Sequence, residues 1–230
     1  MYRERASSIR HTVAWVASAT AAAEDHRILP DGCMDLLWHR GELVVAGPDT
    51  VAHVATWTPK AGHAGLRFGA GVGPRVIGVP AHAVRDQRIP LSDLWPADHV
   101  RRFTEQVAAS KRPVEALESI ASERLRDSSP PDPIGSLLLG RLASVRRIGA
   151  LAEDAGLSAR QLYRRSLDAL GYGPKTFARI MRMNHALDLC RAGRSAADAA
   201  SVAGYADQAH FARDVKALTG VTLTALLTSP

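Results

Sequence analysis

One kind of helical unit is written twice between Ile148 and Leu227, and this duplication constrains the chain more than any other feature. The first copy, IGALAEDAGLSARQLYRRSLDALG, ends at Gly171; the second, AADAASVAGYADQAHFARDVKALTG, ends at Gly220. Each holds a short apolar-periodic helix, a glycine (Gly156, Gly204), a capping residue (Ser158, Asp207) and a longer helix carrying basic residues. A helix, a short glycine turn and a second helix is the arrangement by which proteins place a helix end in the DNA major groove. Two such units in one segment imply two contacts on one face of a duplex.

Charge supports a polyanion-binding half. Residues 1–133 hold 16 Lys/Arg against 16 Asp/Glu, whereas residues 134–230 hold 13 against 7 and so carry the whole +6 excess. Cys33 and Cys190 are the two cysteines; they form no zinc spacing and no disulfide framework, which suits a reducing cytoplasm. Arg3, Arg5 and Arg10 ahead of the apolar run from Val13 to Ala23 imitate a secretory leader. The run lacks leucine and contains Trp15, Ser18 and Thr20, so an opening strand is the better reading. No stretch approaches the roughly 18 apolar residues of a membrane span.

The expected fold is α+β: an N-terminal antiparallel β-barrel or cupin-like domain, then an all-α domain with two helix-turn-helix motifs. Strands are predicted at IRHTVAWVA, HRILP, CMDLLWH, ELVVAG, HVATWT and HAGLRFG, short and rich in β-branched or aromatic residues. Arg40-Gly41 reads as a hairpin turn, and one more strand falls near 87–90. We divide the chain into a β-rich sensor or dimerisation domain (1–96), a helical connector (97–125), a proline-rich linker (126–133) and a helical DNA-binding domain (134–230). The connector holds two amphipathic helices separated by Lys111-Arg112-Pro113. Seven helices are expected beyond the linker: 134–142, 146–155, 159–170, 174–192, 196–203, 208–219 and a short one from 223. Ser158 with Gln161 makes a capping box, Ser195 with Asp198 a looser one, Pro174 opens a helix, and Gly171, Gly193 and Gly220 end helices.

In the first unit Leu157, Leu162 and Leu170 share the core face and leave Arg160, Gln161, Tyr163 and Arg164 outside. In the second, Phe211, Val215 and Leu218 point inward and leave Gln208, Ala209, Ala212 and Arg213. A shift of 49 residues superposes Leu162 on Phe211, Arg164 on Arg213 and Gly171 on Gly220. Arginine bonds guanine bidentately and glutamine can do so with adenine, so these eight are the candidate base readers. Lys175, Arg179, Arg182 and Lys216 are the candidate phosphate contacts. The helix predicted over 174–192 would hold the two reading heads roughly 27–30 Å apart, near one duplex turn.

These residues also carry a resemblance. LAEDAGLSARQLYRR, GYGPKTFARIMRMNHAL and above all AADAASVAGYADQAHFARDVKALTGVT resemble the DNA-binding domain of the AraC/XylS family of bacterial transcription regulators. The resemblance implies base contacts by Arg160, Tyr163 and Arg164 from the first reading helix, and by Gln208, Ala209, Ala212 and Arg213 from the second. Two departures stand out: Ser166 sits where the family usually has phenylalanine, and the tail VTLTALLTSP lacks the family's usual proline, which predicts a frayed last helix. ILPDGCMDLLWHRGELVVAGPDT and LRFGAGVGPRVIGVPAHAVRDQRIPLSDLW resemble the sensor half of a subset of these regulators. Family members often sense small molecules in a cupin-like barrel and dimerise through it.

Within that half, Asp31, Cys33, Asp35 and Leu37 share one strand face, with His39 following. Cys33, Asp35, Trp38, His39, His53, Trp57 and His63 are the candidate effector contacts. The cupin His-x-His spacing is absent, so no metal and no cofactor is assigned; Cys33 could alternatively be a reactive thiol, and a barrel used only for dimerisation is a third possibility. No nucleophile elbow, phosphate loop or paired-carboxylate spacing supports catalysis. The expectation is a cytoplasmic, homodimeric regulator, not an enzyme. Its partners would be double-stranded DNA, a small-molecule effector and RNA polymerase, with no membrane. The alternatives are a metal-binding or enzymatic cupin with a helical appendage, or a helical adaptor for protein partners.

Overall fold

The computed structural model describes residues 1–19, 23–57, 62–130, 132–141 and 148–228. Among the described residues seven strands come first, β1 Tyr2–Ala6, β2 Thr12–Ala17, β3 Glu24–Ile28, β4 Met34–His39, β5 Glu42–Ala46, β6 His53–Trp57 and β7 His63–Phe68, and β8 Arg88–Pro90 follows a short helix and a 3-10 turn. Six form an antiparallel sheet in the order β1-β2-β7-β4-β5-β8, and β3 pairs with β6 as a separate ribbon. The period-two patterning predicted from sequence decides the faces. Along β4, Met34 and Leu36 enter the core, while Asp35, Leu37 and His39 face the opposite way. Arg40 (φ 51°) and Gly41 (φ 85°) both take left-handed backbone between β4 and β5, the geometry of the expected two-residue hairpin.

Gly73–Ile77 (α1) and the 3-10 turns Ala81–Val84 and Leu91–Asp93 lead into α2 Ala97–Ala109 and α3 Pro113–Arg126. These two helices bury Phe103, Val107, Leu117 and Ile120 in one core with Leu36, Val45, Leu66 and Phe68 of the sheet. The opening strand β1 is an addition to the sequence reading, which began its first strand near Ile9. Glu118 of α3 fixes that edge: it accepts from both terminal nitrogens of Arg5 (2.9 Å each), from Ser7 Oγ (2.6 Å) and from the Ser8 amide (3.0 Å). These donors hold the Glu118 carboxyl down at about 2, the Arg5 hydrogen bonds contributing most.

The second core is helical: α4 Ile134–Arg141, α5 Ile148–Asp154, α6 Ala159–Leu170, α7 Pro174–Arg191, α8 Ala196–Val202, α9 Gln208–Thr219 and α10 Leu223–Thr228. The predicted beginning of the 146–155 helix lies outside the described residues. Leu162, Leu170, Phe177, Ile180, Phe211, Val215 and Leu218 form its centre. Helix ends follow the expected signals. Ser158 and Gln161 make a reciprocal capping box, and the Asp207 carboxylate accepts from the His210 amide at 2.6 Å. The Ser195 hydroxyl accepts from the Asp198 amide at 3.1 Å. Ser166 is fully buried, and its hydroxyl donates to the Leu162 carbonyl at 2.7 Å, so the departure from phenylalanine leaves no unsatisfied polar group. The tail expected to fray is helical from Leu223 to Thr228.

The two halves are docked. Tyr172, 1% exposed, donates to the Asp49 carbonyl (2.7 Å), Arg85 to the Gly171 carbonyl (3.2 Å), and Arg27 to the Thr219 carbonyl (2.8 Å). The Ala52 amide donates to the Leu218 carbonyl (2.7 Å), and Asp132 pairs with Arg165 through two bonds of 2.8 and 2.6 Å. A Cβ on Gly171 would lie 2.4 Å from a Pro48 ring carbon, so the glycine that ends α6 also lets the β half approach.

Candidate nucleic-acid interface and sensor cavity

In α6, burial of Leu162, Ser166, Ala169 and Leu170 turns the opposite face outward. Arg160, Gln161, Tyr163 and Arg164 are all exposed, Tyr163 by 54%. Gln161 Oε1 accepts from the Ser158 amide at 2.9 Å, so capping already engages the side chain first assigned to base reading. In α9, Phe211, Val215 and Leu218 are buried, Gln208, Ala209 and Arg213 are exposed, and Ala212 is half-buried. Arg213 Nε donates to the Ala209 carbonyl one turn earlier at 3.3 Å.

The phosphate candidates divide into two pairs. Lys175 and Lys216 are exposed. Arg179 Nε bonds Asp214 Oδ1 at 2.7 Å, while Arg182 lies 3.5 Å from Asp214 Oδ2 and 4.4 Å over the Tyr205 ring. Tyr205 donates to the same carboxylate at 3.1 Å. Asp214 is buried, and a carboxylate in that position needs such donors. Arg179 and Arg182 are therefore engaged in joining α7 to α9, a use that spacing alone did not indicate.

A cavity of about 840 Å³ lies between the six-stranded sheet and the β3–β6 ribbon, with Asn184, Asp188 and Arg191 of α7 contributing to its wall. All seven sensor residues singled out from sequence, Cys33, Asp35, Trp38, His39, His53, Trp57 and His63, line it. Sequence reasoning missed Tyr2, Trp15, Arg67 and the α7 contribution. Arg67 had one visible signal, a charge in the otherwise apolar run GLRF.

The cavity floor is built by strand register. Asp35 and Arg67 are direct partners across β4 and β7, and Trp15 faces Gly65 across β2 and β7. A Cβ on Gly65 would lie 2.4 Å from the Trp15 indole, so only glycine lets that ring lie against the strand. Trp15 Nε1 donates to Asp35 Oδ1 at 2.8 Å. Burial pushes the Asp35 carboxyl up to about 6, with Arg67 opposing and Asp31 adding to the rise. Burial also pushes the Cys33 thiol up, away from the reactive thiolate. At the other end the Nδ1 atoms of His39 and His63 meet at 2.9 Å. Both imidazoles are held below the usual range, by burial first; Arg40 adds to this at His39, and His39 itself and Arg40 at His63. Among the described residues no three His, Cys, Asp or Glu side chains group as a metal-binding set.

Tandem glycine-turn helix pairs behind a hollow β module define a DNA-binding protein of the helix-turn-helix class. Residues 151–229 match the family model described as a helix-turn-helix domain, and residues 6–90 match one described as a domain of unknown function (DUF6597). Residues 151–229 form a DNA-binding helix-turn-helix domain of the AraC type behind an N-terminal β domain, the organisation of a transcription regulator. ToxT from Vibrio cholerae, in a 1.65 Å structure, has the same architecture: TM-score 0.50 at 10% identity, covering 94% of this chain and 97% of that one. An apo ToxT variant from strain SCE256 gives 0.49 at 9% identity over 96% and 98%. ToxT from strain O395 bound to (E)-4-(8-methylnaphthalen-1-yl)but-3-enoic acid gives 0.46 at 10% over 94% and 97%. At these identities the likeness is one of fold. Among curated proteins none matches this sequence. No described helix is long and apolar enough to cross a membrane.

Proposed function

We propose that this regulator acts in the cytoplasm as a homodimer and reads DNA through α6 and α9. Arg160, Tyr163 and Arg164 would serve one major groove, and Gln208, Ala209, Ala212 and Arg213 the next. Lys175 and Lys216 would hold phosphates. A small molecule in the β cavity would act as effector, and RNA polymerase would be the partner through which DNA binding is read out. The observation that carries this reading is the placement of α7, which joins the two reading units and lines the cavity through Asn184, Asp188 and Arg191. An occupant touching that helix has differential contact with any state in which the helical half moves, which is the physical requirement for coupling.

Selection of bound sequences from a random duplex pool, followed by footprinting, tests the reading. Two protected major-groove patches about one helical turn apart per protomer support it. One patch, or recovery of unrelated sequences, overturns tandem reading.

A further inference from the structure

We infer that the effector is a cation: an amine or quaternary ammonium with an aromatic or apolar body, its charge against Asp31 and Asp35 and its body on Trp15, Tyr2 and Trp57. This rests on the effector reading of the cavity. The first observation is a charge count on the floor. One guanidinium, Arg67, stands between two carboxylates, with Nε at 3.5 Å from Asp31 and 3.7 Å from Asp35. These are ion-pair separations beyond good hydrogen bonds. Arg67 Nε is buried without a hydrogen-bond partner, and Asp35 accepts one side-chain hydrogen bond, from Trp15. The floor is thus one positive charge short and holds unused acceptor capacity. A second anion would make the deficit worse.

The second observation is the wall. Tyr2 lies with its ring centroid 6.0 Å from that of Trp15 and 6.1 Å from that of Trp57, and all three line the cavity beside the carboxylates. Aromatic faces carry negative potential and attract cations most strongly where water is excluded. Glu4, bonded to the Tyr2 hydroxyl at 2.9 Å, adds negative charge at the same end. Of the remaining arginines of the lining, Arg88 reaches Asp35 with part of its charge but is held by Asp49 in two bonds, Arg191 pairs with Asp188, and Arg27 is turned to the Thr219 carbonyl. Arg40 is exposed beside His39 and His63 at the opposite end.

Calorimetry on the intact chain with 2-phenylethylammonium, 2-phenylethanol and 3-phenylpropanoate tests the charge preference with bodies of similar size. The ammonium should bind about tenfold tighter than either competitor, the order expected of a desolvated cation–π and charge-assisted contact. Asp35→Asn should erase that ranking, and Asp31→Asn serves if the first variant does not fold. Trp57→Leu should weaken the ammonium most. The ionised Asp35 is the binding form, and it faces Arg67, Asp31, Arg88 and the Trp15 indole, with the Cys33 thiol and Tyr2 hydroxyl close to Arg67. Ammonium affinity should therefore fall as the pH drops below about 6, while that of the alcohol stays level. Tighter binding of the propanoate, equal binding of all three, or no binding at millimolar concentration overturns the inference. Operator binding measured on the same sample separates the two claims. DNA binding without ammonium binding removes the ligand class alone. Ammonium binding that leaves operator affinity unchanged upholds the class and removes the effector role.

Discussion

Two residues show how single side chains set the stability of each half. Ser166 is fully buried, but its hydroxyl merely shares a helix carbonyl that already has a backbone donor. Ser166→Ala should therefore change unfolding free energy by less than about 1 kcal/mol. Ser166→Phe should destabilise by about 1–3 kcal/mol through overpacking, since this core has closed around the small residue. Urea titrations of the three proteins decide it; a stabilising phenylalanine would mean that the core holds space for it. Glu118 makes a pH-dependent contribution. Its folded-state carboxyl lies at about 2, below the unfolded value of 4.5, so its stabilisation is present above pH 4.5 and is lost as the pH falls toward 2. The shift corresponds to roughly 3 kcal/mol at neutral pH. Glu118→Gln should flatten the acid limb of the stability curve between pH 5 and 2; an unchanged limb would assign acid sensitivity to other groups.

Among the elements, α7 and α9 depend on one shared carboxylate. Asp214→Ala would leave Arg179, Arg182 and the Tyr205 hydroxyl without their common acceptor. A loss of about 2–4 kcal/mol is expected in thermal or urea unfolding, with looser DNA binding even where folding persists. An unaltered melting curve would show that α7 and α9 are held by apolar packing alone. Elements of this kind were the most legible from sequence where their signals were local. The caps at Ser158 and Asp207 and the left-handed turn at Arg40-Gly41 each depend on residues a few positions apart. The strand alternation expected through Asp31 and Cys33 fails, because Gly32 takes left-handed backbone and the Asp31 side chain caps the Cys33 amide in a turn ahead of β4. What else escaped was long-range. Strand β1, YRERA, is exposed along its whole length and has no hydrophobic alternation; its place follows from pairing with β2 and from Glu118, more than a hundred residues away. Arg67 becomes part of a site only through register with Asp35 on another strand. Arg179 and Arg182 were candidates for phosphate because their charge was visible and Asp214, thirty-odd residues on, was not an obvious partner.

For the whole molecule, the β half grips the carboxyl ends of α6 and α9: Arg85 holds the Gly171 carbonyl after α6, and Arg27 and the Ala52 amide hold the Thr219 and Leu218 carbonyls at the end of α9. Their opposite, exposed faces carry Arg164 and Arg213 at equivalent positions of the two units. Fluorescence anisotropy with a selected operator at two salt concentrations, for the parent chain, Arg164→Ala and Arg213→Ala, tests the tandem-reader account most directly. The account predicts salt-sensitive affinity and a loss of about 1–3 kcal/mol for each substitution, with relaxed preference for the contacted base pair. Full affinity and unchanged sequence preference in both variants would contradict it.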